Sequence, residues 1–303
     1  MIPWLPEEVC ELLPFEPRWV EVAGYRLHYL DEGDRGAPCV VLLHGNPTWS
    51  FIYRDILPAV ASAGFRVIAP DYLGFGRSDH ARYEGDYAIA HHIGRTVALL
   101  RQTGVREAVI FCQDWGGPIG LGLELAQPGF IRGLVLANTF WGEASLFHRR
   151  VFPWRTLHGP LSGPLLLSRR RMFVNGIRLS GPPSVQIGPA WTAYTLPFEY
   201  HGGPGGTLAF PRAISLGSEH PTQALADALW ERLASLDVPV RFVWGDADVV
   251  FPLGEQGAAL QQRLPRGGEH PVHVVSGGRH FVQEYDPQAC ADACIRVAEE
   301  SYR

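Results

Sequence analysis

Three side chains spaced across this sequence could act together as nucleophile, base and orienting acid. The first is Asp114, in Phe111-Cys112-Gln113-Asp114-Trp115-Gly116-Gly117. The residues before it, 108–111, are apolar and rich in β-branched types, so they read as a buried parallel strand. The residues after it, 118–127, alternate small and apolar types and read as a helix packed closely on a sheet. A reactive side chain on a tight strand-to-helix turn, with glycine two residues later, has the form of a nucleophile elbow. A carboxylate there attacks carbon and leaves an ester, where a serine would leave an acyl-enzyme.

The acid and the base follow in chain order. Gly245-Asp246-Ala247-Asp248 comes directly after an apolar strand at 240–244, which puts a carboxylate at that strand's carboxyl end. Asp248 suits the role better than Asp246, because the usual pattern sets the acid three residues after the glycine. His280, in Ser276-Gly277-Gly278-Arg279-His280-Phe281, follows the last strand through a glycine-rich turn. A histidine base needs such a carboxylate to fix its tautomer and stabilise its charged form. Near the first crossing, Leu43-His44-Gly45-Asn46-Pro47-Thr48-Trp49 supplies a loop whose backbone N–H at Asn46 would pair with that of Trp115 as an oxyanion hole. The side chains of Asn46 and Trp115 are also uncharged N–H donors. In one apolar pocket they would stabilise a departing anion without a buried cation.

The elements that must carry these residues follow from hydrophobic patterning. Residues 19–23 and 26–30 alternate around Gly24-Tyr25, as in an antiparallel hairpin. From Cys39 the pattern becomes strand–helix alternation, with strands at 39–43, 65–69, 108–111, 133–137, 240–244 and 271–275 and helices at 89–102, 222–235 and 288–300. This predicts an α/β architecture, a mostly parallel eight-stranded sheet flanked by helices. Between 141 and 221 the pattern breaks into Pro-, Gly- and Arg-rich sequence with aromatic clusters, including Phe147, Phe152, Trp154, Met172, Phe173, Trp191, Tyr194, Phe198 and Tyr200. It is too long for a plain loop. We read residues 1–140 and 222–303 as the core and 141–221 as an inserted helical cap over the carboxyl ends of the strands, where ligands bind in such sheets.

Composition narrows the chemistry further. All 26 basic residues are arginine, which excludes Schiff-base and P-loop mechanisms because both need lysine. The glycine-rich run at 201–206 has no preceding strand and reads as a loop or hinge. A net charge of −5 with no basic stripe gives no reason to expect nucleic acid. Arg169-Arg170-Arg171 reads as a solvated face, with a homo-oligomer contact as the alternative. The five cysteines form no CxxC motif or disulfide framework, and Cys290 and Cys294 read as core filling on the last helix. With no signal-peptide pattern at the start and no apolar run of about 18 residues, a cytoplasmic protein with no membrane span is expected. His91-His92 and the other histidines lack metal-ligand spacing.

Four segments resemble the haloalkane dehalogenases of the α/β-hydrolase superfamily: His44-Gly45-Asn46-Pro47-Thr48-Trp49-Ser50, the stretch Asp71-Tyr72-Leu73-Gly74-Phe75-Gly76-Arg77-Ser78-Asp79, Gln113-Asp114-Trp115-Gly116-Gly117-Pro118-Ile119, and His280-Phe281-Val282-Gln283-Glu284. With the acid motif they span nearly the whole chain; the cap matches loosely, and Cys112 replaces the elbow's first glycine. The resemblance implies Asp114 as nucleophile, His280 as base, Asp248 as acid, and Asn46 with Trp115 as halide ligands. It implies a small apolar halogenated substrate, a halide product, and no metal or cofactor. A related subfamily carries a glutamate acid after strand six, near Glu143, which is the backup. β-Lactone decarboxylases share the Asp, His and Asn–Pro motifs, so a β-lactone substrate stays open. Epoxide hydrolysis would need cap tyrosines, with Tyr194 and Tyr200 as the candidates by position.

Overall fold

The protein is described from a computed structural model, at residues 5–143, 176–200 and 206–303. A short helix α1 (Glu7–Leu12) precedes a hairpin of β1 (Arg18–Val22) and β2 (Tyr25–Glu32). Its two turn residues, Ala23 and Gly24, have φ of 51° and 79°, the pair of positive values that a twisted two-residue hairpin turn requires. Then follow β3 (Cys39–Leu43), α2 (Leu57–Ser62), β4 (Arg66–Pro70), α3 (Ile89–Gln102), β5 (Ala108–Asp114), α4 (Gly116–Ala126) and β6 (Ile131–Thr139). Helices α5 (Gly188–Tyr200) and α6 (Gly206–Ala213) come next. The chain ends with α7 (Gln223–Leu233), β7 (Val240–Gly245), α8 (Ala258–Arg263), β8 (His273–Val275), α9 (Val282–Tyr285) and α10 (Pro287–Ser301).

The eight strands form one sheet in the order β1-β2-β4-β3-β5-β6-β7-β8. Strands β3 to β8 run parallel, and the hairpin joins β4 antiparallel. Every residue of β3, β4 and β5 is buried, which is why these strands read as continuous apolar runs. Alternate residues face opposite layers: Val41 and Leu43 belong to one core, Val40 and Leu42 to the other. The sheet order reverses between β3 and β5, and this opens a crevice beyond their carboxyl ends.

Helices cover both faces by ordinary amphipathic spacing. In α3, Ile89, His92, Ile93, Thr96, Val97 and Leu100 are buried at intervals of three and four. His92 is thus a core residue, while His91 stays exposed. Helix α10 opens with Pro287 after Asp286, whose side chain accepts from Ala289 N, a capping arrangement suited to a first-turn proline. Cys290 and Cys294 lie on its buried stripe, as expected for core filling. Helix α4 sits against β5 because it is glycine-rich: a Cβ at Gly120 would lie 2.8 Å from Cys112 Sγ. The thiol that replaces the elbow's usual glycine occupies that space.

Most strand limits differ from the sequence expectation by one to three residues, and two of the differences have a clear physical cause or consequence. Strand β8 begins at His273 rather than 271, since Pro271 has no N–H to give the ladder. Strand β6 continues past 137 to Thr139, which carries Asn138 and Thr139 to the carboxyl edge of the sheet.

The cap expected over 141–221 is described at 141–143, 176–200 and 206–221, where α5 and α6 contact the strands' carboxyl edge. Trp49 Nε1 donates to Ala193 O at 3.0 Å, and Asn46 Nδ2 donates to Thr207 O at 3.3 Å. Phe147, Phe152, Trp154, Arg169-Arg170-Arg171, Met172, Phe173 and the start of the glycine-rich run lie outside the described residues.

Glycines at the elbow and on helix surfaces answer to opposite constraints. A Cβ at Gly116 would stand 2.1 Å from Leu43 O, whereas one at Gly94 would meet nothing within 4 Å. Gly116→Ala should therefore cost about 1–3 kcal/mol through overpacking, and Gly94→Ala should gain up to about 1 kcal/mol from helix propensity. Urea unfolding of the two variants measures both; equal effects would contradict this packing.

Candidate active site

Strand β5 delivers Asp114 at the centre of the carboxyl edge, with φ of 50°. A left-handed conformation costs most residues about 1–3 kcal/mol, and aspartate is among the few that tolerate it. Neighbouring glycines make the turn physically possible. A Cβ at Gly45 would sit 2.3 Å from Asp114 Cβ, and one at Gly117 would sit 2.1 Å from Thr139 Oγ1. The Thr139 hydroxyl donates to Asp114 O at 2.6 Å, so the end of β6 holds the strained turn from behind. Asp114 is nearly buried, at 5% exposure.

The two carboxylate oxygens of Asp114 face different partners. Oδ1 accepts the backbone N–H of Asn46 at 2.6 Å. Oδ2 lies 3.3 Å from His280 Nε2. On the other side of the imidazole, Nδ1 lies 3.0 Å from Asp248 Oδ2. Asp114, His280 and Asp248, far apart in sequence, are thus joined in one buried chain.

Asp248 and Asp246 are separated by their partners. Asp248 Oδ2 also accepts Asn138 Nδ2 at 2.7 Å, and Oδ1 accepts Val250 N at 2.8 Å. Asp246 Oδ1 instead accepts Gly277 N at 2.7 Å, bracing the glycine turn that leads to His280. Glu143, the backup acid, forms an isolated bridge with Ser215, while the imidazole's Nδ1 is engaged by Asp248.

Several supporting residues escaped the sequence reading. Asn138, at φ of 39°, gives one side-chain bond to Asp248 and takes another from Gly245 N at 2.9 Å. Gln113 Nε2 donates to His280 O at 3.2 Å. His44 accepts Tyr72 N at Nε2 (3.1 Å) and so donates from Nδ1 to Gly45 O (2.9 Å). Burial pushes its pKa down, in keeping with that neutral, bridging form. Asp71, at the head of one resemblance segment, accepts Ser50 N, Arg77 N and His28 Nδ1 at 2.7–2.9 Å. These bonds tie the Asn46 loop to the loop after β4. A polar residue at the end of a buried strand was the only sequence signal for Asn138.

Electrostatics give the imidazole an unusual state. Burial works against a charged His280, but the Asp248 carboxylate and then Asp114 outweigh it and raise its pKa to about 10. Burial likewise opposes charge on Asp248, yet His280, Asn138 and Val250 hold its carboxyl below the usual range. Trp115, next to Asp114, is 2% exposed, with its ring centroid 4.9 Å from Phe140 and 5.0 Å from Phe210. Phe210 comes from α6, so the site's Trp side is closed by apolar aromatic surface. Among the described residues, the one grouping with metal-ligand geometry is Glu269, His270 and Glu300. Arg266 pairs with both of its carboxylates, so it reads as a surface ion-pair group.

An aspartate elbow on this sheet defines a class of protein, and comparison with known proteins agrees. Residues 38–157 match the alpha/beta hydrolase fold family. The chain is 34% identical over 292 residues to a haloalkane dehalogenase of Mycobacterium marinum, covering 93% of each protein. A haloalkane dehalogenase of Psychrobacter cryohalolentis is 30% identical, over 95% of this chain and 94% of that protein. The crystal structure of the haloalkane dehalogenase DbeA from Bradyrhizobium elkani superposes with a TM-score of 0.84 at 24% identity, covering 95% of this chain and 98% of that one. The chain belongs to the haloalkane dehalogenase family.

The paired carboxylates make a titration test. His280 should bind its proton with a pKa near 10 in the free protein, and Asp248→Asn should lower that value by removing the strongest raising charge. Because the folded value lies above the unfolded value of about 6.5, the stabilisation is complete below that pH and is lost as pH rises through the folded value. Imidazole NMR shifts measure it; an ordinary histidine titration in the folded protein would contradict the arrangement.

Proposed function

We propose that the protein hydrolyses small haloalkanes to an alcohol and a halide through a covalent ester on Asp114, with His280 as base and Asp248 as its orienting acid. The observation that carries this reading is the division of labour on Asp114. Oδ1 lies on the Asn46 N–H and Oδ2 faces His280, in a chain of this family.

In the first step a lone pair on Asp114 Oδ2 forms a C–O bond as the carbon–halogen bond breaks. The halide leaves with its electron pair, and the Asn46 amide and Trp115 indole N–H groups receive it. Uncharged donors suit this task in an apolar site, because they stabilise an anion without a desolvated cation. In the second step His280 Nε2 takes a proton from water, and the hydroxide adds to the Asp114 carbonyl carbon. The negative charge then falls on Oδ1, already on the Asn46 N–H, with the Trp115 N–H as its second donor. Collapse releases the alcohol, which takes its proton from His280; the Asp114 carboxylic acid so formed then gives up the second water proton to solvent by way of His280, which restores the carboxylate.

The ester itself prepares the base. Alkylation removes the Asp114 charge, one of the two carboxylates that raise His280, so the imidazole's pKa falls and it can become neutral. Ester hydrolysis then requires the neutral form, and its rate falls as pH drops below the ester-state pKa.

Epoxide opening would need a cap hydroxyl as proton donor. The Tyr194 hydroxyl donates instead to Glu284, and Tyr200 is 45% exposed at the end of α5. We place the protein in the cytoplasm, in keeping with five free cysteines; among the described residues no helix is long and apolar enough to cross a membrane.

His280→Gln removes the base and should slow ester hydrolysis by about 10²–10⁴-fold, leaving a bromoethyl adduct on Asp114 after treatment with 1,2-dibromoethane. Intact-mass and peptide spectra detect it, and no adduct would contradict the scheme. The wild type should release bromide from 1-bromobutane and give no olefin from a β-lactone; the opposite pair of results would transfer the assignment to lactone decarboxylation. The acid limb should appear in kcat, and a profile flat down to pH about 4.5 would exclude His280 as base.

A further inference from the structure

Glu284, four residues after His280 and part of the same sequence segment, has no part in the bond chemistry, yet its carboxylate is only 4% exposed. Arg54 holds it by a fork, with Nη1 on Oε1 at 2.6 Å and Nη2 on Oε2 at 2.8 Å. The Tyr194 hydroxyl of α5 donates to the same Oε1. Three elements meet there: the stretch after the Asn46 loop, helix α9 after His280, and cap helix α5.

Other contacts run parallel to this one. Trp49 Nε1 grips Ala193 O, the residue before Tyr194. The Phe51 ring lies edge-on to Tyr194 at 5.2 Å and under the Arg54 guanidinium at 4.4 Å. Phe281 stands between Tyr194 and His280, with centroid distances of 6.5 and 5.6 Å, and its N–H donates to Ser180 O at 3.1 Å. A buried ion pair adds little net stability over apolar packing, and its best-attested use is to fix register. Here the register it fixes is that of α5 over the loops bearing Asn46 and His280.

We propose that Tyr194, Glu284 and Arg54 form a positioning latch that holds α5 in its substrate-competent place over the site, acting on the population of that state and not on bond breaking. The inference rests on the dehalogenase reading for its kinetic arm only. Breaking the latch reduces the competent fraction, and apparent affinity falls by that same fraction.

Tyr194→Phe keeps the ring and removes the hydroxyl; Glu284→Gln keeps the shape and removes the charge. For both, KM for 1-bromobutane should rise about tenfold, the scale of one hydrogen bond to a charged group, while kcat and its acid limb stay in place. Backbone amides of α5 should exchange about tenfold faster by hydrogen-exchange mass spectrometry. A lowered melting temperature with unchanged KM and unchanged α5 exchange overturns the latch. If the wild type releases no halide, the dehalogenase reading fails, and the exchange result still decides the latch. Should Tyr194→Phe not fold, Glu284→Gln carries the same test.

Discussion

One imidazole shared by two buried carboxylates is the constraint on which this architecture turns. His280 sits between Asp248 and Asp114 with almost no solvent, and three buried titratable groups in line are costly unless their charges and hydrogen bonds are matched. The sheet supplies the match. Strands β5, β7 and β8 run parallel and end at one edge, so a carboxylate, a second carboxylate and a histidine reach one point from distant parts of the chain. Asn138 and Val250 give Asp248 two further hydrogen bonds, and the Asn46 N–H gives one to Asp114. In the proposed reaction the same sharing gives a means of control, because an ester on Asp114 would remove one charge from the trio and free His280 to act as base.

The rest of the molecule reads as support for that line. Gly45, Gly116 and Gly117 give up side chains so that the backbone and Asp114 can approach closely. His44 and Asp71 bind the loops after β3 and β4 into one unit. From above, α6 closes the Trp115 side with Phe210, and α5 is fastened at Ala193 and Tyr194.

Much of this was legible in the sequence because the chemistry is local and the sheet is regular. Apolar runs with period-free burial marked the parallel strands, and the residues directly after them included Asp114, Asp248, Asn46 and His280. The preference for Asp248 over Asp246 rested on spacing alone; in space the two are separated by their partners, a histidine for one and a turn amide for the other. What the sequence did not reveal was support across long separations. Asn138 looks like the frayed end of a strand until β6 is seen to run beside β7. Arg54 and Glu284 are 230 residues apart, and no periodicity links them. Tyr194 could be placed in the cap by pattern, but its hydroxyl's partner depends on the tertiary fold.

The central claim is that Asp114, not water, attacks the substrate carbon. A single turnover in water enriched in oxygen-18, with enzyme in excess over 1-bromobutane, tests it directly. Attack of water on the ester carbonyl places solvent oxygen in the Asp114 carboxylate, so the alcohol of that turnover carries unlabelled oxygen and the peptide bearing Asp114 gains the label. Labelled alcohol from an unlabelled Asp114 would mean direct displacement by water and would contradict the account.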